Sequence, residues 1–101
     1  MKFLSQLEFD AAIGATLPSL VLFAGKFSVL GAAVALKMAA LDPAKVSVYQ
    51  VDIDTTEGAE IAMRLSIREA PFVILFVAGV PKLSANNLTD EMVNYLKAAL
   101  V

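Results

Sequence analysis

The sequence predicts an α/β fold, a mixed sheet with helices on both faces, over a single domain of residues 1–101. Three observations predict it. Ser19–Ala24 and Phe72–Val77 are continuous apolar runs, the pattern of strands covered on both faces. Segments with helical caps and helical spacing alternate with the strands, and βαβ crossovers demand parallel central strands. Ala78-Gly79 then makes a tight turn, which demands an antiparallel end to the sheet.

In chain order, Phe3-Leu4 is expected as a short opening strand. Ser5 followed by Glu8 forms a capping-box pattern, so a helix should run from there to about Ile13, burying Leu7, Phe9 and Ile13 and ending at Gly14. After the Ser19–Ala24 strand, Ser28 offers an N-cap to a helix from about Val29 to Leu41, stopped by Asp42-Pro43. Val46, Val48, Val51 and Ile53 mark a strand from about Lys45 to Asp52. A third helix, Glu57 to Leu65, should turn Ile61 and Leu65 inward and Glu57, Glu60 and Arg64 outward. Beyond the hairpin, Val80–Ser84 contains Pro81, which lacks a ladder donor and so belongs at a sheet edge. Thr89-Asp90-Glu91 caps a final helix with Met92, Leu96 and Leu100 on one face. The order is β-α-β-α-β-α-β-β-α.

Composition removes most catalytic options. The 101 residues include no Cys, so there is no disulfide, thiolate nucleophile or Cys-ligated metal site. With no His there is no imidazole base and no ordinary transition-metal site. No cofactor is expected. Eight basic against ten acidic residues give a net charge of −2, the wrong sign for nucleic-acid binding. The 58% apolar content raises a membrane span as a rival, but Pro18, Gly25, Lys26 and Lys37 interrupt the apolar stretch Leu17–Leu41. Its longest charge-free run, Phe27–Leu36, is half of the roughly 20 residues a bilayer span needs. Ser5, Gln6, Glu8 and Asp10 likewise interrupt any signal-peptide core. A cytoplasmic protein without membrane contact is the expectation.

Val51-Asp52-Ile53-Asp54 and the stretch Ser66-Ile67-Arg68-Glu69-Ala70-Pro71-Phe72-Val73-Ile74-Leu75-Phe76-Val77-Ala78-Gly79 resemble the thioredoxin family. There, a strand ends in an Asn/Asp-Ile-Asp turn, and a helix, an Ile-Arg-x-x-Pro step and a Leu/Phe-rich strand with a Gly turn follow. With the element order, the resemblance covers essentially the whole chain. It implies a thioredoxin-like mixed sheet of strand order 1-3-2-4-5, with Ala70–Pro71 as a cis-proline before the fourth strand. Redox-active members carry Trp-Cys-Gly-Pro-Cys at the start of the second helix, where this chain reads Phe27-Ser28-Val29-Leu30-Gly31. The family's buried Asp and its neighbouring Lys match Leu22 and Gln50. The lost active-site positions are therefore Leu22, Ser28, Gly31 and Gln50. Disulfide exchange runs on thiolates, and the chain has none.

Three other chemistries compete for these residues. Ser28 suggests a nucleophile, but Lys26 is the only nearby base, and an N-cap hydroxyl is ordinary structural chemistry. A glutathione-type thiol site at Ser28 would need a second helical domain. Asp52, Asp54 and Glu57 suggest a cation, but their spacing is that of a turn and a helix start. What the resemblance leaves is recognition by strand addition, in which a bound peptide pairs with the backbone of the residue before the cis-proline, here Ala70. Phe27, Ser28, Val29, Leu30, Pro71 and Phe72 would complete that peptide-binding surface. The second helix carries Ser28, Ala32, Ala35 and Ala39 on one face and Leu30, Val34, Met38 and Leu41 on another, with Lys37 its only charge. A helix apolar nearly all round is normally buried on more than one side, which leaves two readings: alanines exposed simply as good helix formers, or a face, with Gly31, that packs against a protein partner or a second copy. The leading expectation is a redox-inactive binding or assembly module. An engineered cysteine-free scaffold and an enzyme using Ser28 are the alternatives.

Overall fold

The computed structural model describes residues 1–100. Its elements are β1 (Lys2–Phe3), α1 (Gln6–Ile13), β2 (Ser19–Ala24), α2 (Val29–Met38), β3 (Ser47–Asp52), α3 (Thr56–Arg64), β4 (Phe72–Val77), β5 (Val80–Ala85) and α4 (Asp90–Ala99). The five strands form one sheet of order β1-β3-β2-β4-β5. All six residues of β2 are buried, because the strand pairs on both edges and is covered on both faces. Its alternating side chains feed two cores. Leu20, Leu22 and Ala24 meet Val34 and Met38 of α2 and Val93 and Leu96 of α4. Val21 and Phe23 meet Phe9 and Ile13 of α1 and Ile61 of α3. Phe9 presents ring edges to Phe23 and Phe76, at centroid distances of 6.2 and 5.9 Å.

The first two crossovers make β1, β3 and β2 parallel, but β4 runs antiparallel to β2, with Phe72 opposite Phe23. The rule that a crossover yields a parallel strand therefore fails at α3. Residues 65–71 form an irregular return after that helix, turning at Leu65 and Ser66 (φ 59° at Ser66) and bending again at residues 69–71. They carry the chain back to the end of the sheet from which α3 departed. The hairpin then turns through Ala78 and Gly79, both at positive φ (52° and 82°), and leaves β5 at the edge. Beside it, the β4–β5 register shifts between Leu75 and Phe76.

Several boundaries move for local reasons. β1 is Lys2–Phe3 rather than Phe3-Leu4, and Leu4 is buried in the core beneath it. Leu7 is 92% exposed, because a residue two positions from Phe9 cannot share its helix face. α2 stops at Met38, and Ala40 and Leu41 continue in a tighter turn (amide bonds to Lys37 and Met38 carbonyls, 3.2 and 3.1 Å). β3 starts at Ser47 because the amides of Lys45 and Val46 turn back to the Asp42 carbonyl. Ile53 lies outside the strand, in the turn that Asp52 builds by accepting from the Asp54 amide at 3.1 Å. Leu65 is the C-cap of α3 rather than its last helical residue. In α4 the fully inward residues are Val93 and Leu96, with Met92 and Leu100 half-buried at their side.

The capping box of α1 forms in both directions, Ser5 Oγ accepting from Glu8 N and Glu8 Oε1 from Ser5 N. Lys2 Nζ lies 2.6 Å from Glu8 Oε2. Hydrogen bonds from Lys2 and then from the Ser5 backbone hold the Glu8 carboxyl down to about 2, against an ordinary 4.5. A depressed carboxyl pKa contributes stability that is fully present above pH 4.5 and lost as pH falls through about 2. Between those limits Glu8→Gln should flatten the fall of the thermal midpoint with pH, read by circular dichroism. Gly58 tests packing: a Cβ there would collide with the Asp52 carbonyl. Gly58→Ala should cost about 3 kcal/mol in denaturant unfolding. Leu7→Gln should stay within about 0.5 kcal/mol of the natural chain.

Candidate functional site

The β2–α2 turn begins where β2 leaves the sheet at Ala24. Gly25 is buried against Asp54, whose carboxylate fills the space a Cβ would need. Asp52 Oδ1 accepts from the Lys26 amide at 3.2 Å, so one carboxylate ties the β2–α2 turn to the β3–α3 turn. Ser28 has extended backbone (φ −67°, ψ 125°), and its Oγ accepts from Gly31 N at 3.0 Å. Its hydroxyl oxygen thus caps α2. Lys26 Nζ sits 5.7 Å from the Phe3 ring and 6.0 Å from the Phe27 ring. Among the described residues, it has no carboxylate within ion-pair distance.

Phe27, Val29 and Leu30 project from this turn, 90%, 83% and 67% exposed. Leu30 therefore does not share the inward face of Val34, Met38 and Leu41; in the first turn of α2 it is Gly31 that faces the sheet, against Ala24. The helix is buried on one side only, through Gly31, Val34 and Met38, so its apolar circumference is largely open. Leu30, Ala33, Val34 and Lys37 of α2 line a groove with Pro71, Asn86 and Asn87. Ala70 is exposed and makes no backbone hydrogen bond among the described residues, since pairing of β4 with its neighbours begins at Phe72 and Val73. The Ala70–Pro71 peptide is cis. Phe72 does not join this surface. It is half-buried and packs on the opposite face of the sheet, with the α1 and α3 core.

Beneath the turn, Leu22 and Gln50 lie opposite each other in the β2–β3 ladder. Leu22 is fully buried in the α2 core. Gln50 Nε2 donates to the Ala24 carbonyl at 3.2 Å. Neither side chain carries charge. Gly31 approaches the sheet so closely that a Cβ would lie 2.8 Å from Ala24 Cβ. Among the described residues, no group of three or more acidic side chains is arranged to hold a metal ion. No helix among them is long and apolar enough to cross a membrane.

Solved structures give the comparison for this architecture. Thioredoxin O2 from Arabidopsis thaliana, in its oxidized state, is similar with a TM-score of 0.76 and 24% identity, covering 97% of this chain and 89% of that one. Fasciola hepatica thioredoxin is similar with a TM-score of 0.82 and 17% identity over the full length of both chains. This chain has the thioredoxin fold. A Malassezia sympodialis thioredoxin (Mala s 13), from a pan-allergen family, agrees with a TM-score of 0.80 and 19% identity, covering 99% and 90% of the two chains. No family model and no curated protein matches the sequence. The thioredoxin fold is thus present without a cysteine, and thiol–disulfide exchange has no thiolate to run on.

The sequence reading grouped the β2–α2 turn with Ala70 and Pro71 through the family resemblance, and in the structure Leu30 and Pro71 line one groove. It missed the tie from Asp52, the Phe3–Lys26–Phe27 arrangement, and Asn86 and Asn87 in the groove. Each depends on contacts between distant segments, which no local pattern carries.

The Ala24–Gly31 approach has a measurable consequence. Gly31→Ala puts a Cβ 2.8 Å from Ala24 Cβ and 3.3 Å from Ser28 Cβ, both tighter than ordinary van der Waals contact. The overlap with Ala24 should cost that variant about 1–3 kcal/mol in denaturant unfolding. Adding Ala24→Gly should restore part of the loss.

Proposed function

We propose that this chain is a redox-inactive protein- or peptide-binding module that holds an extended partner segment against Ala70. One observation carries the reading: Ala70 is exposed and its backbone is unpaired in the bend just before β4, beside a groove that Leu30 and Pro71 share. An extended segment laid there exchanges main-chain hydrogen bonds with Ala70 and so adds locally to the sheet. Such recognition uses no particular side chain, and it survives the loss of the cysteines. Leu30, Ala33 and Pro71 supply apolar contact for a side chain of the bound segment, with Asn86 and Asn87 as polar partners at the margin. Val29 and Phe27 extend the apolar surface toward the start of α2.

Selection from a random peptide display library is the direct test. Enriched peptides should protect the Ala70 amide from hydrogen exchange. Leu30→Asp should weaken them at least tenfold, or about 1.4 kcal/mol. Leu30 is exposed, so this variant keeps its fold. Equal binding by Leu30→Asp, or protection confined to other amides, rejects this site.

A further inference from the structure

Lys37 is the one charged residue that lines the Leu30–Pro71 groove, and apolar contact with a bound segment leaves it without a role. It pairs loosely with Asp90 of α4, at 3.6 Å, and the Asp90 side chain is 93% exposed. Such an exposed pair contributes at most about 1 kcal/mol, so the ammonium can exchange this carboxylate for another or hold both. Asn87 belongs to the same lining. Its Oδ1 accepts from the Leu88 amide at 2.8 Å, which turns the side chain so that Nδ2 is left as a donor. Among the described residues that nitrogen donates to no partner. Asn86 differs, since its Nδ2 already donates to Glu69 Oε1 at 3.1 Å. Its Oδ1 is an acceptor without charge, suited to a main-chain amide. The charged capacity still open in the groove is therefore that of a donor, an ammonium with an amide N–H.

Spacing and charge together describe the segment that fits. Ala33 and Lys37 lie one turn apart on α2, about 6 Å along its axis. In an extended segment, side chains two positions apart share a face and are separated by about 6.8 Å. A segment laid along α2 thus sets one side chain on Leu30, Ala33 and Pro71, and the next on that face within reach of Lys37. A basic side chain there would meet a like charge, whereas a carboxylate meets donors. Of the two carboxylates of the chain that touch these residues, Asp90 is exchanged or shared at Lys37, and Glu69 is held by Asn86. Resting on the reading of this groove as a peptide site, the geometry points to a partner segment of stated chemistry. It carries an Asp or Glu two positions from its apolar anchor, with Lys37 Nζ and Asn87 Nδ2 donating to the side-chain carboxylate. Lys37 is then a specificity-determining residue.

Synthetic peptides copied from sequences enriched in the random display library test it. They should carry an acidic residue two positions from an apolar one. Exchanging that residue for its amide should weaken binding about three- to fivefold at low salt. The same exchange should cost nothing against Lys37→Gln, which retains a good helix former and should keep the circular dichroism spectrum. Asp90→Asn, which removes the competing carboxylate, should tighten the acidic peptide and leave its amide analogue unchanged. Three results overturn the inference: enriched peptides without an acidic residue at that spacing, an equal loss on amide exchange in the natural chain and in Lys37→Gln, or binding abolished by amidating the peptide's C-terminus. Leu30→Asp is measured beside them. Peptides weakened by Leu30→Asp but indifferent to Lys37→Gln overturn the acidic preference and keep the peptide site. Peptides indifferent to Leu30→Asp reject the site itself, and the acidic preference with it.

Discussion

The rest of the structure depends on β2 being buried on every side. It pairs with β3 and β4, and both helical layers pack onto it. A strand so placed has room for a polar side chain only where a partner is guaranteed. Ser19 meets this condition by donating its hydroxyl to the Ala12 carbonyl at 2.9 Å. Position 22 lies deeper, between α2 and α4, and a carboxylate there would need a charged or hydrogen-bonding neighbour. With Gln50 rather than a lysine across the ladder, leucine suits that position. The uncharged Leu22 and Gln50 beneath the α2 turn thus form one coherent packing arrangement.

Much of this architecture was legible because the caps are local. Ser5, Ser28 and Thr89 each accept from the amide three residues on, and that interaction is written in adjacent residues. The errors came where distant segments decide. β4 is antiparallel to β2 because the long return through residues 65–71 reverses the chain, and no periodicity announces that. Leu7 was assigned to the core on hydrophobicity, although Phe9 and Ile13 had already taken the inward face. For the candidate site, the turn itself could be located from Gly25 to Gly31. That Phe72 belongs to the opposite core follows from strand alternation, since it faces Phe23 in the ladder. The exposure of Leu30 depended on Gly31 facing the sheet in the first turn of α2.

α2 organises the functional surface in the same way that β2 organises the core. One side, with Leu30 and Ala33, borders Pro71, and another, with Ala32 and Leu36, borders β3. The turn leading into it is fixed by the Ser28 cap and by Asp52, so the apolar side chains project from an ordered backbone. A segment bound there would meet a surface already ordered by folding. The chain has no cysteine, and the Ser28 cap and Asp52 hold the turn without one.

The sheet edge at β5 sets a limit on how such a hydrophobic chain can grow into larger assemblies. β5 is exposed along nearly its whole length, yet Pro81 offers no amide, Lys82 carries charge, and the register shift at Leu75/Phe76 breaks its regularity. Open-ended growth needs a strand edge that can be extended repeatedly, and this one is interrupted. The guarded edge therefore works against sheet-to-sheet growth in a protein whose surface is otherwise thin in charge.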